Sequence, residues 1–190
     1  YYKTFMWPGS LWTLYERFIR YAAGMGEASR LPDPDRYEHM NAHCDVLVVG
    51  GGAAGLAAAL AASRAGARVI LADERPALGG ALRFETLQID SRPALSWVKA
   101  VVATLTAERD VTLLARTTAF GYFDHDTVGL IEHVADHLPT PGEGTPRQRL
   151  WMVRARHVVL ATGAIERPPV FAGNDLPGVM LASAARRYVN

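Results

Sequence analysis

Cysteine is nearly missing from this chain: Cys44 is the only one in 190 residues. That excludes an internal disulfide, a multi-cysteine metal site and a Cys-x-x-Cys redox pair, and it fits a reducing, cytoplasmic setting. An excess of one charge is missing too. Lys plus Arg number 20 and Asp plus Glu 19, a net charge of +1. There is no basic field of the kind that holds nucleic acid. Long apolar runs are absent. The longest uncharged stretch, 46–63, is interrupted by glycines and falls short of the roughly 20 residues of a membrane span. No secretory signal opens the chain. It starts Tyr1-Tyr2-Lys3 rather than with Met, which reads as a piece of a longer polypeptide, cut at one or both ends.

What remains is ordinary globular material, 49% hydrophobic and 21% charged, in a length that suits one domain with a modest excess. Residues 1–40 stand apart as a helical lead-in and linker. They carry Phe5-Met6-Trp7-Pro8, then Trp12, Tyr15, Ile19 and Ala22 at helical spacing. This predicts a helix over 11–23, capped by Ser10 and ended by Gly24 or Gly26. A lone helix cannot bury such a stripe by itself, so docking on its own chain is expected. Leu31-Pro32-Asp33-Pro34-Asp35 follows as an extended linker.

From residue 41 to 190 the pattern is that of a dinucleotide-binding domain. Val46–Val49 is a fully apolar strand, and Gly50-Gly51-Gly52-Ala53-Ala54-Gly55 is a turn. An alanine-rich helix runs to Ala65, stopped by Gly66, and a second strand covers 68–72. This is a right-handed βαβ unit. Residues 92–109 predict an amphipathic helix and 110–118 a third strand. Residues 120–131 predict a hairpin around Asp124-His125-Asp126. Residues 150–153 and 157–161 predict two further strands.

Gly50-x-Gly52-x-x-Gly55 lies between strand and helix, the context a phosphate-binding loop requires. Gly50 permits the tight turn, Gly52 lets a pyrophosphate approach the backbone, and Gly55 lets the helix pack close to the sheet. Asp73 ends the second strand, where a carboxylate accepts hydrogen bonds from an adenosine ribose and repels a 2′-phosphate. Arg75 nearby weakens that exclusion. NAD and FAD share this half, so these residues leave the choice between them open. Gly79-Gly80 suits close backbone approach, and Ala161-Thr162-Gly163 ends a late strand after an inserted β-meander. Together these resemble the two-dinucleotide-binding flavoproteins, with a glutathione-reductase-like α/β fold. The parallel sheet would be Rossmann-like and incomplete at the C-terminus.

Ala161 to Pro169, Gly173 to Ala182, Lys3 to Pro8 and Phe120 to His125 resemble, more narrowly, the alpha subunits of heterotetrameric sarcosine oxidases. The opine oxidase type of amine-oxidising flavoprotein shares the glycine loop and the Ala-Thr-Gly-Ala segment. The resemblance implies an NAD site in this chain, with FAD as the alternative. It implies an FMN between the alpha and beta subunits, with a tetrahydrofolate site elsewhere. Beta, gamma and delta subunits would be the partners, in the cytoplasm, with neither nucleic acid nor membrane involved. The complex would convert sarcosine to glycine, pass the one-carbon unit to tetrahydrofolate and release hydrogen peroxide. The amine would be oxidised at the beta subunit's flavin, so this stretch supplies no catalytic residue and is inactive alone. The matching cofactor positions are Gly50, Gly52, Ala53 and Ala54; Asp73, Glu74 and Arg75; Gly80 and Ala81; Thr118, by its backbone; and Thr162 and Gly163. Ala81 lacks the hydroxyl that would suit a phosphate.

The acid and histidine residues at 124–126, 132–133 and 136–137 do not have metal-site spacing and read as a turn and a solvated strand end. Cys44 reads as a core residue. Arg167, Arg186 and Arg187 could face an anion or a partner, but solvated surface is the expectation for at least two of them.

Overall fold

The computed structural model describes residues 8–27 and 30–189. The Phe5-Met6-Trp7 part of the aromatic lead-in and the Lys3 to Trp7 part of the family resemblance lie outside them. The chain divides between Pro34 and Asp35 into two units.

The first unit is one helix, α1 (Trp12–Ala22), preceded by a 3-10 turn over Gly9–Leu11. Ser10 sits inside that turn and does not cap the helix; Leu11 holds the cap position without a side-chain bond. The stop falls where the glycines predict it. Gly24 has φ +67°, its N–H donates to the Tyr21 carbonyl at 3.1 Å, and that of Met25 donates to Arg20 at 3.0 Å. This is the paired Schellman closure that a left-handed glycine allows. No α1 residue is buried.

The second unit is a six-stranded sheet in the order β5-β2-β1-β8-β7-β6. Its strands are β1 (Tyr37–Val49), β2 (Val69–Ala72), β5 (Val111–Leu114), β6 (Thr117–Phe123), β7 (Thr127–His133) and β8 (Gln148–Leu160). β5, β2, β1 and β8 run parallel, and β8, β7 and β6 pair antiparallel. A small ladder joins β3 (Gln88–Ile89) to β4 (Arg92–Pro93). Helices α2 (Ala53–Arg64) and α3 (Ala94–Ala107) cover one face of the parallel strands. There Leu56, Ala59, Val98, Val101 and Leu105 bury against Val48, Val69 and Leu71. The other face, Leu47, Val49, Ile70 and Leu114, packs with Val128, Leu130 and Val153 of the meander. A short helix, α4 (Ala182–Val189), follows a long irregular stretch. Among the described residues no helix is long and apolar enough to cross a membrane.

The fold is the mixed α/β, parallel-dominated arrangement expected, with three corrections to its strands, the first being that the strand predicted over Val46–Val49 begins at Tyr37, within the stretch read as linker. The two strands predicted at 150–153 and 157–161 are one continuous strand, β8. It contains neither Gly nor Pro to break it, and it pairs with β1 from Tyr37 onward. The third strand predicted over 110–118 is cut in two. Arg116 adopts φ +53°, which turns the chain between β5 and β6.

Candidate functional site

The site is built where β1 runs into α2. Gly50 leaves the strand with φ +104°, and its N–H donates to Ala72 at 2.8 Å. A Cβ on Gly50 would lie 2.3 Å from the Ala161 carbonyl oxygen, and one on Gly55 would lie 1.8 Å from the Gly50 oxygen. Both glycines are therefore demanded by the protein's own packing. Gly52 is different. It has φ −75°, within reach of any residue, and a Cβ there meets nothing within 4 Å. Among the described residues nothing fills the space in front of Gly52.

Gly52 also holds the N-cap position of α2, with no side-chain cap and no acid in the first turn. The first helical bond is Leu56 N–H to the Gly52 carbonyl, 2.9 Å. The N–H groups of Ala53, Ala54 and Gly55 thus have no partner within the helix, and they stand at its positive dipole end. Ala53 and Ala54 are exposed. An apolar first turn, uncapped and opening on empty space, fits a pyrophosphate.

Two further loops wall this opening. The Gly79 N–H donates to the Gly51 carbonyl at 2.7 Å, and a Cβ on Gly80 would come within 2.9 Å of the Gly52 Cα. The second glycine pair therefore lies against the first loop. On the other side Ala161, whose N–H donates to Val49 at 2.8 Å, leads into exposed Thr162 and Gly163. Ala81 is exposed at the start of the 3-10 turn Gly80–Phe84.

Asp73 does two things. Only 8% exposed, it accepts the Gly51 N–H at 2.5 Å and the Arg75 N–H at 2.8 Å, one on each carboxylate oxygen. It fixes the glycine loop to the end of β2, and its second lone pairs are what remains for a ribose. Glu74 is exposed and Arg75 half-buried beside it. Thr118 is not at the end of the third parallel strand. It lies within β6, paired with Ile131, because the turn at Arg116 ends that strand at Leu114. Buried Thr117 takes the place next to the site, its N–H donating to the Asp73 carbonyl at 2.8 Å.

Sequence reasoning missed Gly51. Its added Cβ would strike the Leu78 side chain at 2.5 Å and crowd Asp73. The run of three glycines was the available signal. Arg167, Arg186 and Arg187 are all exposed, as expected, and two of them also have partners within the chain: Arg186 pairs with Glu85, and the Arg187 guanidinium lies 4.8 Å over the Phe84 ring. The acid–histidine residues serve the meander. Asp136 is held by His133, Gln148 and Arg147, and Glu132 by Arg149 and Trp151. Among the described residues no three His, Cys, Asp or Glu side chains gather as a metal site would need. Cys44 is buried in the core, and desolvation pushes its thiol up to about 11.

This arrangement can bind a dinucleotide by backbone amides and one carboxylate, and the known proteins it resembles agree. Residues 45–134 match a family described as FAD dependent oxidoreductase. The chain is 52% identical over its whole length to the sarcosine oxidase alpha subunit of Rhizobium meliloti (strain 1021), of which it covers 19%. It resembles sarcosine oxidase alpha subunits from end to end. It is 38% identical, over 75% of its length, to an opine oxidase subunit of Agrobacterium tumefaciens (strain Ach5), covering 28% of that protein. L-proline dehydrogenase from P. horikoshii matches 80% of the chain at 28% identity and TM-score 0.62, over 29% of its own length. The fold is that of the FAD- and NAD(P)-binding oxidoreductases. The chain spans about a fifth of the sarcosine oxidase subunits it matches.

Proposed function

We propose that this chain is the NAD-binding segment of a sarcosine oxidase alpha subunit. The observation that carries this is the unfilled space at Gly52, with Gly80 against it and the amides of the first turn of α2 facing it, in a chain 52% identical to such a protein. Gly50, Gly52, Ala53 and Ala54 hold the pyrophosphate. Asp73, Glu74 and Arg75 surround the ribose, and Gly80, Ala81, Thr162 and Gly163 close the site, with Thr117 in the place expected of Thr118. In this reading NAD bound here would not pass hydride to the substrate, which is oxidised at the beta subunit's flavin; FAD in its place, as in the second reading, would supply redox chemistry. The chain's own residues bind and orient the dinucleotide, and none of them handles the substrate proton.

In this reading the chain works inside a cytoplasmic complex with beta, gamma and delta subunits. That complex carries FMN and tetrahydrofolate sites outside this stretch. It oxidises sarcosine to glycine, transfers the one-carbon unit to tetrahydrofolate and releases hydrogen peroxide. The second reading is a segment of an FAD-dependent amine or opine oxidase, favoured by the family matched over 45–134.

Denaturing the purified protein and identifying the released nucleotide by chromatography separates the two. NAD without flavin is expected. FAD would move the assignment to the second reading. Gly52→Val should abolish nucleotide binding, and undiminished binding by that variant would sink the site itself.

A further inference from the structure

The Ala182–Val189 helix is fastened at both ends to the loops that wall the glycine turn. At its start the Ser183 N–H donates to a Glu166 carboxylate oxygen at 2.8 Å. Glu166 stands three residues beyond Gly163, and the Ser183 hydroxyl, with that backbone N–H, holds its carboxyl below its ordinary value. Further along, Arg186 pairs with Glu85 and Arg187 stacks on Phe84. Phe84 and Glu85 close the turn that begins at Gly79 and Gly80, the pair lying against Gly51 and Gly52. The Glu85 side chain is only 15% exposed, so its charge is largely removed from water and Arg186 is its counter-ion.

Gly79 and Gly80 both sit at positive φ, +120° and +52°. Such a turn loses much backbone freedom when it is ordered against a ligand. A tether that holds it in place beforehand lowers that loss. We propose that Glu85 and Arg186 are positioning residues for the dinucleotide: their ion pair clamps α4 to the 79–85 turn and so slows nucleotide release. This rests on the dinucleotide reading above. Neither residue touches the space at Gly52; they act through the backbone of Gly80.

The test is a charge-swap cycle in the full-length natural protein with its partners, using NAD as the probe. Glu85→Arg and Arg186→Glu should each weaken NAD binding about five-fold, mainly by faster dissociation. The double swap should recover most of the loss, because the pair is restored with its polarity reversed. A merely structural role would lower the melting temperature of the single swaps without changing the rate of NAD release. Single swaps that release NAD at the parent rate, or a double swap that recovers nothing, overturn the clamp. Gly52→Val in the same assay keeps the two ideas apart. If it abolishes binding while the single swaps change nothing, only the clamp fails. If it binds NAD undiminished, the dinucleotide reading fails and the clamp with it.

Discussion

Gly52 and Gly55 belong to one motif, but their substitutions should behave oppositely. Gly52→Ala places a methyl in open space at an ordinary φ of −75°. Folding stability should change by less than about 1 kcal/mol, and can rise, because the unfolded chain loses freedom. Nucleotide binding should be lost. Gly55→Ala drives a methyl to 1.8 Å from the Gly50 oxygen, backbone that cannot step aside without moving the loop. It should destabilise by about 3 kcal/mol. Thermal melts without nucleotide, set beside binding isotherms, would show it; equal stability loss in both variants would refute the distinction. Cys44 makes a second residue-scale case. Its burial and raised pKa leave almost no thiolate at neutral pH. A thiol reagent should label it only as fast as the protein unfolds, and rapid labelling of native protein would contradict the core placement.

The single element that organises the unit is β8. Its first half pairs with β7 on one side and β1 on the other, and its second half continues beside β1 toward Ala161. It therefore carries the meander and one wall of the site on the same strand. Arg149 locks this junction, reaching Glu38 on β1 at 3.0 Å and Glu132 on β7 at 2.9 Å. Its side chain is 24% exposed. Arg149→Met keeps the stem and leaves two carboxylates facing each other, so stability should fall by about 2 kcal/mol. Denaturant titration would measure it, and an unchanged midpoint would count against the junction. The sequence showed the βαβ unit clearly, since an apolar strand, a glycine turn and an alanine helix differ in period and composition. β8 was hidden for a physical reason. Arg154 and Arg156 point to solvent while Val153 and Ala155 are buried, and that polar alternation looks like a break between two short apolar runs. Thr118 was misplaced because a left-handed arginine at 116 has no sequence signature, as glycine would. α4 escaped notice because two of its contacts, Glu85 and Phe84, are about a hundred residues away in the chain.

At the scale of the whole molecule, Asp45, Asp136 and Cys44 carry large shifts that make folding depend on pH. The Arg68 guanidinium, with its backbone N–H, holds Asp45 at about 2, below the ordinary 3.8. His133, then Gln148 and Arg147, hold Asp136 at about 2. A carboxylate whose folded pKa lies below its unfolded one contributes stability that is complete above the unfolded value. That contribution disappears as pH falls from about 4 toward 2. Cys44 works in the opposite direction. Its folded pKa of about 11 lies above the ordinary 9.0, so the buried neutral thiol contributes below 9 and the contribution is lost between 9 and 11. The melting temperature should therefore be flat between about pH 4 and 9 as far as these groups are concerned, with a limb on each side. Asp45 and Asp136 are at the surface, so added salt should shrink the acid limb, whereas the alkaline limb comes from burial and should be insensitive to it. An Asp45→Asn, Asp136→Asn double variant should lose most of the acid limb and keep the alkaline one. If its acid limb is unchanged, the ion pairs that tie β1 to β2 and the meander to its own turn are not what acid breaks.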